Sequence, residues 1–194
     1  MAWYRCGTGG GGQPAEKIPF VASSGAQYLS LPVYTDEDII IKAKILIPSA
    51  PTAEVSFINS EWSVNGFGFH GGYGYLQLRY NTSSDPRFNN KDWKWVNVEY
   101  NTTDGTLLYD GTTYGGTHQA YAHKAVQIFG VDNGHFSAMA ISEMKVFKDG
   151  ALYMNLEPRK DASTGAGYLY DTIGEQSYYS LTSTPLIYEE YGAD

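Results

Sequence analysis

The sequence predicts an all-β protein, an antiparallel sandwich or barrel, on three observations. Apolar residues recur at every second position in several stretches, most clearly Ile39, Ile41, Ala43, Ile45 and Ile47, with Lys42 and Lys44 on the opposite side. Gly, Pro, Asn and Asp break the chain at short intervals between these stretches. No window repeats apolar residues at i, i+3, i+4 and i+7, so almost no helix is expected. Composition agrees: 17 Tyr and 22 Gly among 194 residues, with charged residues at only 18%, favour turn-rich β structure.

In chain order, residues 1–17 read as a flexible arm, with Trp3, Tyr4 and Arg5 at its tip and a run of glycines from Gly7 to Gly12. Residues 18–194 contain no polar linker before 188 and read as one domain. Strands are expected over 26–34, where Pro32 marks an edge, and over 38–47, 54–59, 66–70, 75–80, 94–100, 106–109 and 126–131. A hairpin follows: Met144 and Val146 alternate with Glu143 and Lys145, Asp149-Gly150 supplies the two φ > 0 positions of a tight turn, and Leu152, Met154 and Leu156 resume the inward alternation. Pro158, with no N–H to give, is expected to end that pairing before a closing strand at 167–171. Cys6 is the only cysteine, so no intrachain disulfide can form and stability must come from burial.

The wording from Met144 to Leu152, Leu156 to Arg159 and Gly167 to Asp171 resembles the C-terminal signature of laminin G-like jelly rolls in the concanavalin A-like lectin/glucanase superfamily, especially versions carried by phages and prophages of gut Firmicutes. Trp95-Val-Asn-Val-Glu-Tyr100, a turn at Asp104-Gly105 and Leu107-Leu-Tyr-Asp-Gly111 are similar to the family's middle signature, although Asp110-Gly111 follows Tyr109 directly, which leaves that hairpin's length open. With the opening Gln27-Tyr-Leu strand, the resemblance covers most of residues 26–175. It implies a two-sheet jelly-roll sandwich and a Trp95 packed inside it. The start Met-Ala-Trp-Tyr before a glycine run also resembles tail-associated phage proteins, which makes Trp3, Tyr4 and Arg5 a candidate virion anchor. Calcium sites occur in many relatives, and Asp132-Asn133, or Asp85 with Asn89 and Asn90, offer suitable oxygens, but turn formation is the favoured reading of these residues.

Several chemistries are disfavoured. A net charge of −8 with 13 scattered basic residues argues against nucleic acid. β-Glucan-cleaving members of the superfamily place two carboxyl groups on one strand face, whereas Glu54, Glu61, Glu99, Glu143 and Glu157 stand apart in sequence. His118 and His123 share neither a helical nor a strand face, so no histidine metal site is expected. The glycine run has no following helix or Lys-Ser/Thr ending for a phosphate loop. Residues 1–17 hold no apolar run long enough for a secretion signal or membrane span, so the chain is expected to be made in the host cytoplasm and to reach the outside in a virion released by lysis.

What remains is a set of aromatic and amide candidates. A sugar site pairs a flat ring with amide, carboxylate or backbone partners. Trp62 with Asn65, His70 and Tyr73 in the glycine-rich His70-Gly-Gly-Tyr-Gly-Tyr75, and Asn89, Asn90, Asp92 and Trp93 are the residues expected to bind ligand. The expected function is a non-catalytic virion component at a tail, baseplate or fibre tip that binds host-surface or mucus carbohydrate and assembles as an oligomer with other virion proteins. A decoration protein that binds no sugar and a laminarinase-like hydrolase are the alternatives.

Overall fold

The computed structural model describes residues 15–49, 51–59, 68–79, 87–88, 94–115, 123–131 and 134–188. Its strands are β1 (Glu16–Lys17), β2 (Val21–Ser24), β3 (Leu29–Tyr34), β4 (Ile39–Leu46), β5 (Val55–Asn59), β6 (Gly68–Gly72), β7 (Tyr75–Arg79) and β8 (Arg87–Phe88), followed by β9 (Val96–Asn101), β10 (Thr106–Tyr109), β11 (Thr112–Gly115), β12 (Ala125–Ile128), β13 (Ala138–Lys148), β14 (Ala151–Lys160), β15 (Gly167–Asp171) and β16 (Gln176–Tyr178). Among the described residues there is no helix.

The strands form two antiparallel sheets that face each other as a sandwich. One has ten strands, ordered β11-β10-β9-β4-β13-β14-β15-β16, with β2 on β13 and β1 on β14; the other has six, ordered β3-β12-β5-β6-β7-β8. Period-two alternation explains the core. On β4, Ile39, Ile41 and Ile45 are fully buried while Lys42 and Lys44 are exposed. Val98 and Tyr100 of β9, Met144 and Val146 of β13, and Met154 and Leu156 of β14 continue this inner layer. From the six-stranded sheet, Leu29, Leu31, Phe57, Ile58, Phe69, Leu76, Leu78, Val126 and Ile128 meet them. The Phe69 ring links the sheets, 4.8 Å from Phe57 on its own sheet and 5.7 Å from Tyr109 across the interface.

Three hairpins close on two residues with positive φ: Asp149-Gly150 (51°, 76°), Asp110-Gly111 (47°, 82°) and Tyr73-Gly74 (47°, 89°). This is the turn whose twist matches paired strands. It settles the hairpin left open by the direct Tyr109-Asp110 junction, because Tyr109 pairs with Thr112. Pro32 lies on β3, an edge strand of its sheet, as expected, within a register irregularity against β12.

Three expectations are corrected. Pro158 does not end the pairing: β14 runs to Lys160 and Pro158 sits opposite Leu169 of β15. Near their turn β13 and β14 pair from Met144↔Leu156 to Lys148↔Ala151, but beyond it β2 pairs with β13 and β1 with β14. The Pro158 carbonyl accepts from Ile18 N–H at 3.1 Å, so its missing N–H points into this split and no bond to β15 is lost. Leu152 does not face the core. Val146 pairs with Met154 but Phe147 with Leu152, so Tyr153 is an extra residue that turns Leu152 outward to 44% exposure. Trp95 packs outside the sandwich, because Val96 and Val98 take the inner face; its ring meets Phe20 at 5.9 Å over buried Ala22, Leu46 and Ala140.

The bulge gives a direct contrast. Ile41→Ala should cost about 2–5 kcal/mol in denaturant unfolding, whereas Leu152→Ala should change stability by less than about 0.5 kcal/mol.

Candidate functional site

Because the inner faces are apolar, function must lie on the outer faces or the loops, and the two outer faces differ in chemistry. On the ten-stranded sheet the outward positions are charged: Lys42, Lys44, Glu99, Glu143 and Lys145. Lys42 pairs with Glu99 at 2.9 Å and Lys17 with Glu157 at 3.1 Å. A shallow groove of about 270 Å³ crosses this face between Lys42, Asn97, Glu99, Leu108, Glu143 and Lys145. Its charges largely offset one another in contact with water, as on the solvated side of many antiparallel sheets, where such pairs contribute little.

The six-stranded sheet presents amides, hydroxyls and glycine instead. One row across it reads Ser30, Gln127, Asn59 and Gly68; the next reads Ser56, His70 and Gln77; a third pairs Gly72 with Tyr75. Their neighbours Leu29, Ile128, Ile58, Phe69, Leu76 and Leu78 point into the core, so these residues point away from it. Ser56, Asn59 and His70 are buried, while Ser30, Tyr75, Gln77 and Gln127 are half-buried around them. Gly68 is required between them, since a methyl there would collide with His70 Nε2 and Asn59 Oδ1.

Other buried polar side chains have evident structural work. Gln27 Oε1 accepts from Ser23 Oγ and Ser24 N–H, both at 2.9 Å. Thr102 Oγ1 donates to the Glu37 carbonyl at 2.6 Å and accepts from Ile39 N–H at 3.1 Å. Ser137 Oγ donates to the Phe129 carbonyl, and the Asp171 carboxylate accepts from Asn155 and Gly174 N–H. Ser56 Oγ, by contrast, meets no hydrogen-bond partner among the described residues. An interior hydroxyl in that condition is uncommon.

Of the ligand-binding residues expected from the sequence, His70 and Tyr73 lie on the β6–β7 hairpin of this sheet. His70 is in its middle, and Tyr73 is at its apex, 71% exposed. Trp62, Asn65, Asn89, Asn90, Asp92 and Trp93 lie outside the described residues, as do Trp3, Tyr4 and Arg5 of the arm and the candidate calcium ligands Asp85, Asp132 and Asn133. In chain order, the segment with Trp62 and Asn65 joins β5 to β6, and the one with Asn89 to Trp93 joins β8 to β9. Sequence reasoning missed Ser30, Ser56, Asn59, Gln77 and Gln127. A signal was available: outward positions on these strands hold amides and hydroxyls where β4, β9 and β13 hold Lys and Glu.

The perturbed ionisable groups lie on or beside the ten-stranded sheet. Asp161 is held well below the usual carboxylate range by the Ser163 hydroxyl and the backbone N–H groups of Thr164 and Ser163. Tyr179, stacked on Tyr168 and donating to Asp161, is pushed up to about 12, chiefly by burial. Away from these groups, at the end of β3 in the six-stranded sheet, His123 Nδ1 lies 2.8 Å from Asp36 with its ring stacked on Tyr34. Glu99 and Glu143 lie on β9 and β13 with β4 between them, and among the described residues no three His, Cys, Asp or Glu side chains gather as a metal site.

No protein-family model matches the chain, and no curated protein matches it in sequence. Solved structures do share its fold. A candidate carbohydrate-binding protein from Bacteroides ovatus superposes with a TM-score of 0.54 at 13% identity over 90% of this chain, which spans 63% of that protein's length. A heptameric SAP-like pentraxin from Limulus polyphemus matches more distantly, with a TM-score of 0.36 at 14% identity, covering 70% of this chain and 72% of the pentraxin. The chain is thus an all-β protein of jelly-roll type.

The depressed Asp161 carboxyl fixes the sign of a pH effect. Its contribution is full above the unfolded carboxylate value of about 3.9 and is lost as pH falls toward the lower folded value. Wild type should therefore exceed Asp161→Asn in thermal stability at neutral pH, and the margin should narrow as pH falls from about 5 to about 2.

Proposed function

We propose that this chain is a non-catalytic carbohydrate-binding domain and that the outward face of its six-stranded sheet receives the sugar. The carrying observation is the set of three amides, Asn59, Gln77 and Gln127, held on β5, β7 and β12 of one sheet around His70, Ser30 and Ser56 over a glycine floor. Amides and hydroxyls both donate and accept, which matches sugar hydroxyls, and Tyr75 adds a ring at the margin. The fold shared with the Bacteroides ovatus protein supports the same reading.

The proposed setting is a phage or prophage virion, at a tail, baseplate or fibre tip, supported by the resemblance of the sequence signatures. There Trp3, Tyr4 and Arg5 would anchor the domain to a neighbouring virion protein. Weak sites repeated in an oligomer would sum to useful avidity, because each further contact is made at high effective concentration. Mass spectrometry of particles with and without residues 1–13 tests this placement; unchanged incorporation of the truncated chain would remove the anchor.

Binding to laminarin, galactomannan, xylan and gastric mucin by calorimetry tests the domain itself, with no release of reducing ends expected. Gln77→Ala and Gln127→Ala should each weaken binding about three- to tenfold, the loss of one hydrogen bond, while Lys42→Ala on the charged face should leave it unchanged. The opposite pattern would move the site to the ten-stranded sheet.

A further inference from the structure

The hairpin sets the backbone at position 73, but two features make a tyrosine an unexpected residue there. Its φ of 47° lies in the left-handed region, where glycine, asparagine and aspartate sit without strain and a tyrosine does not. The residue is also 71% exposed, more than Leu152, Tyr153, Ile173, Tyr179 or Leu181. Among the described residues it makes no hydrogen bond or ring contact. The turn needs nothing from the ring: Gly72 pairs with Tyr75, and Gly74 N–H donates to the Pro51 carbonyl at 2.8 Å. Strain at a fully presented aromatic points to a partner outside the molecule.

The hairpin that holds Tyr73 also carries His70 and Gln77. Tyr73 lies three positions beyond His70, roughly 10 Å at the rise of an extended strand. That is farther than one sugar ring reaches. Resting on the carbohydrate reading, we infer that Tyr73 is a stacking platform for one unit of an extended oligosaccharide whose other units lie along the amide-lined face. The ligand is a chain of several sugars, and the apolar C–H face of an outer unit covers the tyrosine ring.

Calorimetry with oligosaccharides of one to six units, prepared from whichever of laminarin, galactomannan, xylan or mucin glycan binds, tests this together with thermal melts. Wild-type affinity should climb with length. Tyr73→Ala should lose about three- to tenfold on the longer members and nothing on the monosaccharide, and Tyr73→Phe should retain wild-type affinity. Tyr73→Asn should raise Tm by about 2–4 °C, since it relieves the strained backbone, while losing the same affinity as the alanine variant. Equal affinity of wild type and Tyr73→Ala at every length, or a lower Tm for Tyr73→Asn, would overturn the platform and leave the carbohydrate reading standing. Failure of wild type to bind any of the four glycans would remove that reading and this inference with it.

Discussion

The apolar layer between the two sheets is the constraint from which the rest follows. Ile39, Ile41 and Ile45 of β4, with Val98, Tyr100, Met144 and Val146, are packed against Phe57, Ile58, Phe69, Leu76 and Leu78 of the facing sheet. A protein interior is as dense as an organic crystal, so each of these positions tolerates only a side chain of similar volume, and a polar atom only where it finds a partner. With no disulfide available to the single cysteine, this layer carries the fold. Since strand side chains alternate, a fixed inner face leaves every second residue free to be chosen for something else.

The two outer faces use that freedom differently. On the ten-stranded sheet, Lys42, Lys44, Glu99, Glu143 and Lys145 keep the surface hydrated through exposed pairs such as Lys42–Glu99. On the six-stranded sheet, Ser56, Asn59 and His70 are withdrawn from solvent beside half-buried Gln77 and Gln127. Burying uncharged polar groups is costly unless something hydrogen-bonds them, whereas leaving Lys and Glu in water costs little. Amides and hydroxyls both donate and accept, which makes a face that gathers them a better candidate for recognition than one of paired Lys and Glu.

The irregularities of the sandwich have local causes. β1 and β2 enter between β13 and β14 where those strands part, which gives Pro158 a place in the sheet without an orphaned partner. The extra residue Tyr153 reverses the facing of Leu152. Trp95 is covered by Phe20 and a small outer cluster that also receives Ile187, whose backbone bridges to Ala22 at 2.7 and 2.9 Å. The first and third depend on segments distant in sequence, and the second on how β14 registers against β13, so none is visible in the alternation of a single strand.

By itself, the sequence determined the all-β class, the inward sets on β4 and β13, the edge position of Pro32 and the Asp149-Gly150 turn, because period-two alternation and positive-φ turn residues act over a few neighbours. Short strands of small or polar residues, β2, β11 and β16, did not declare themselves, since Val21–Ser24 and Gln176–Tyr178 are strands only by virtue of their partners. Of the candidate site, His70 and Tyr73 were legible from a glycine-rich aromatic motif. Asn59, Gln77 and Gln127 were not, because each is a lone amide in its own strand. Tertiary structure alone decided that these amides share a face, since register across β12, β5, β6 and β7 is a long-range property that no single segment encodes.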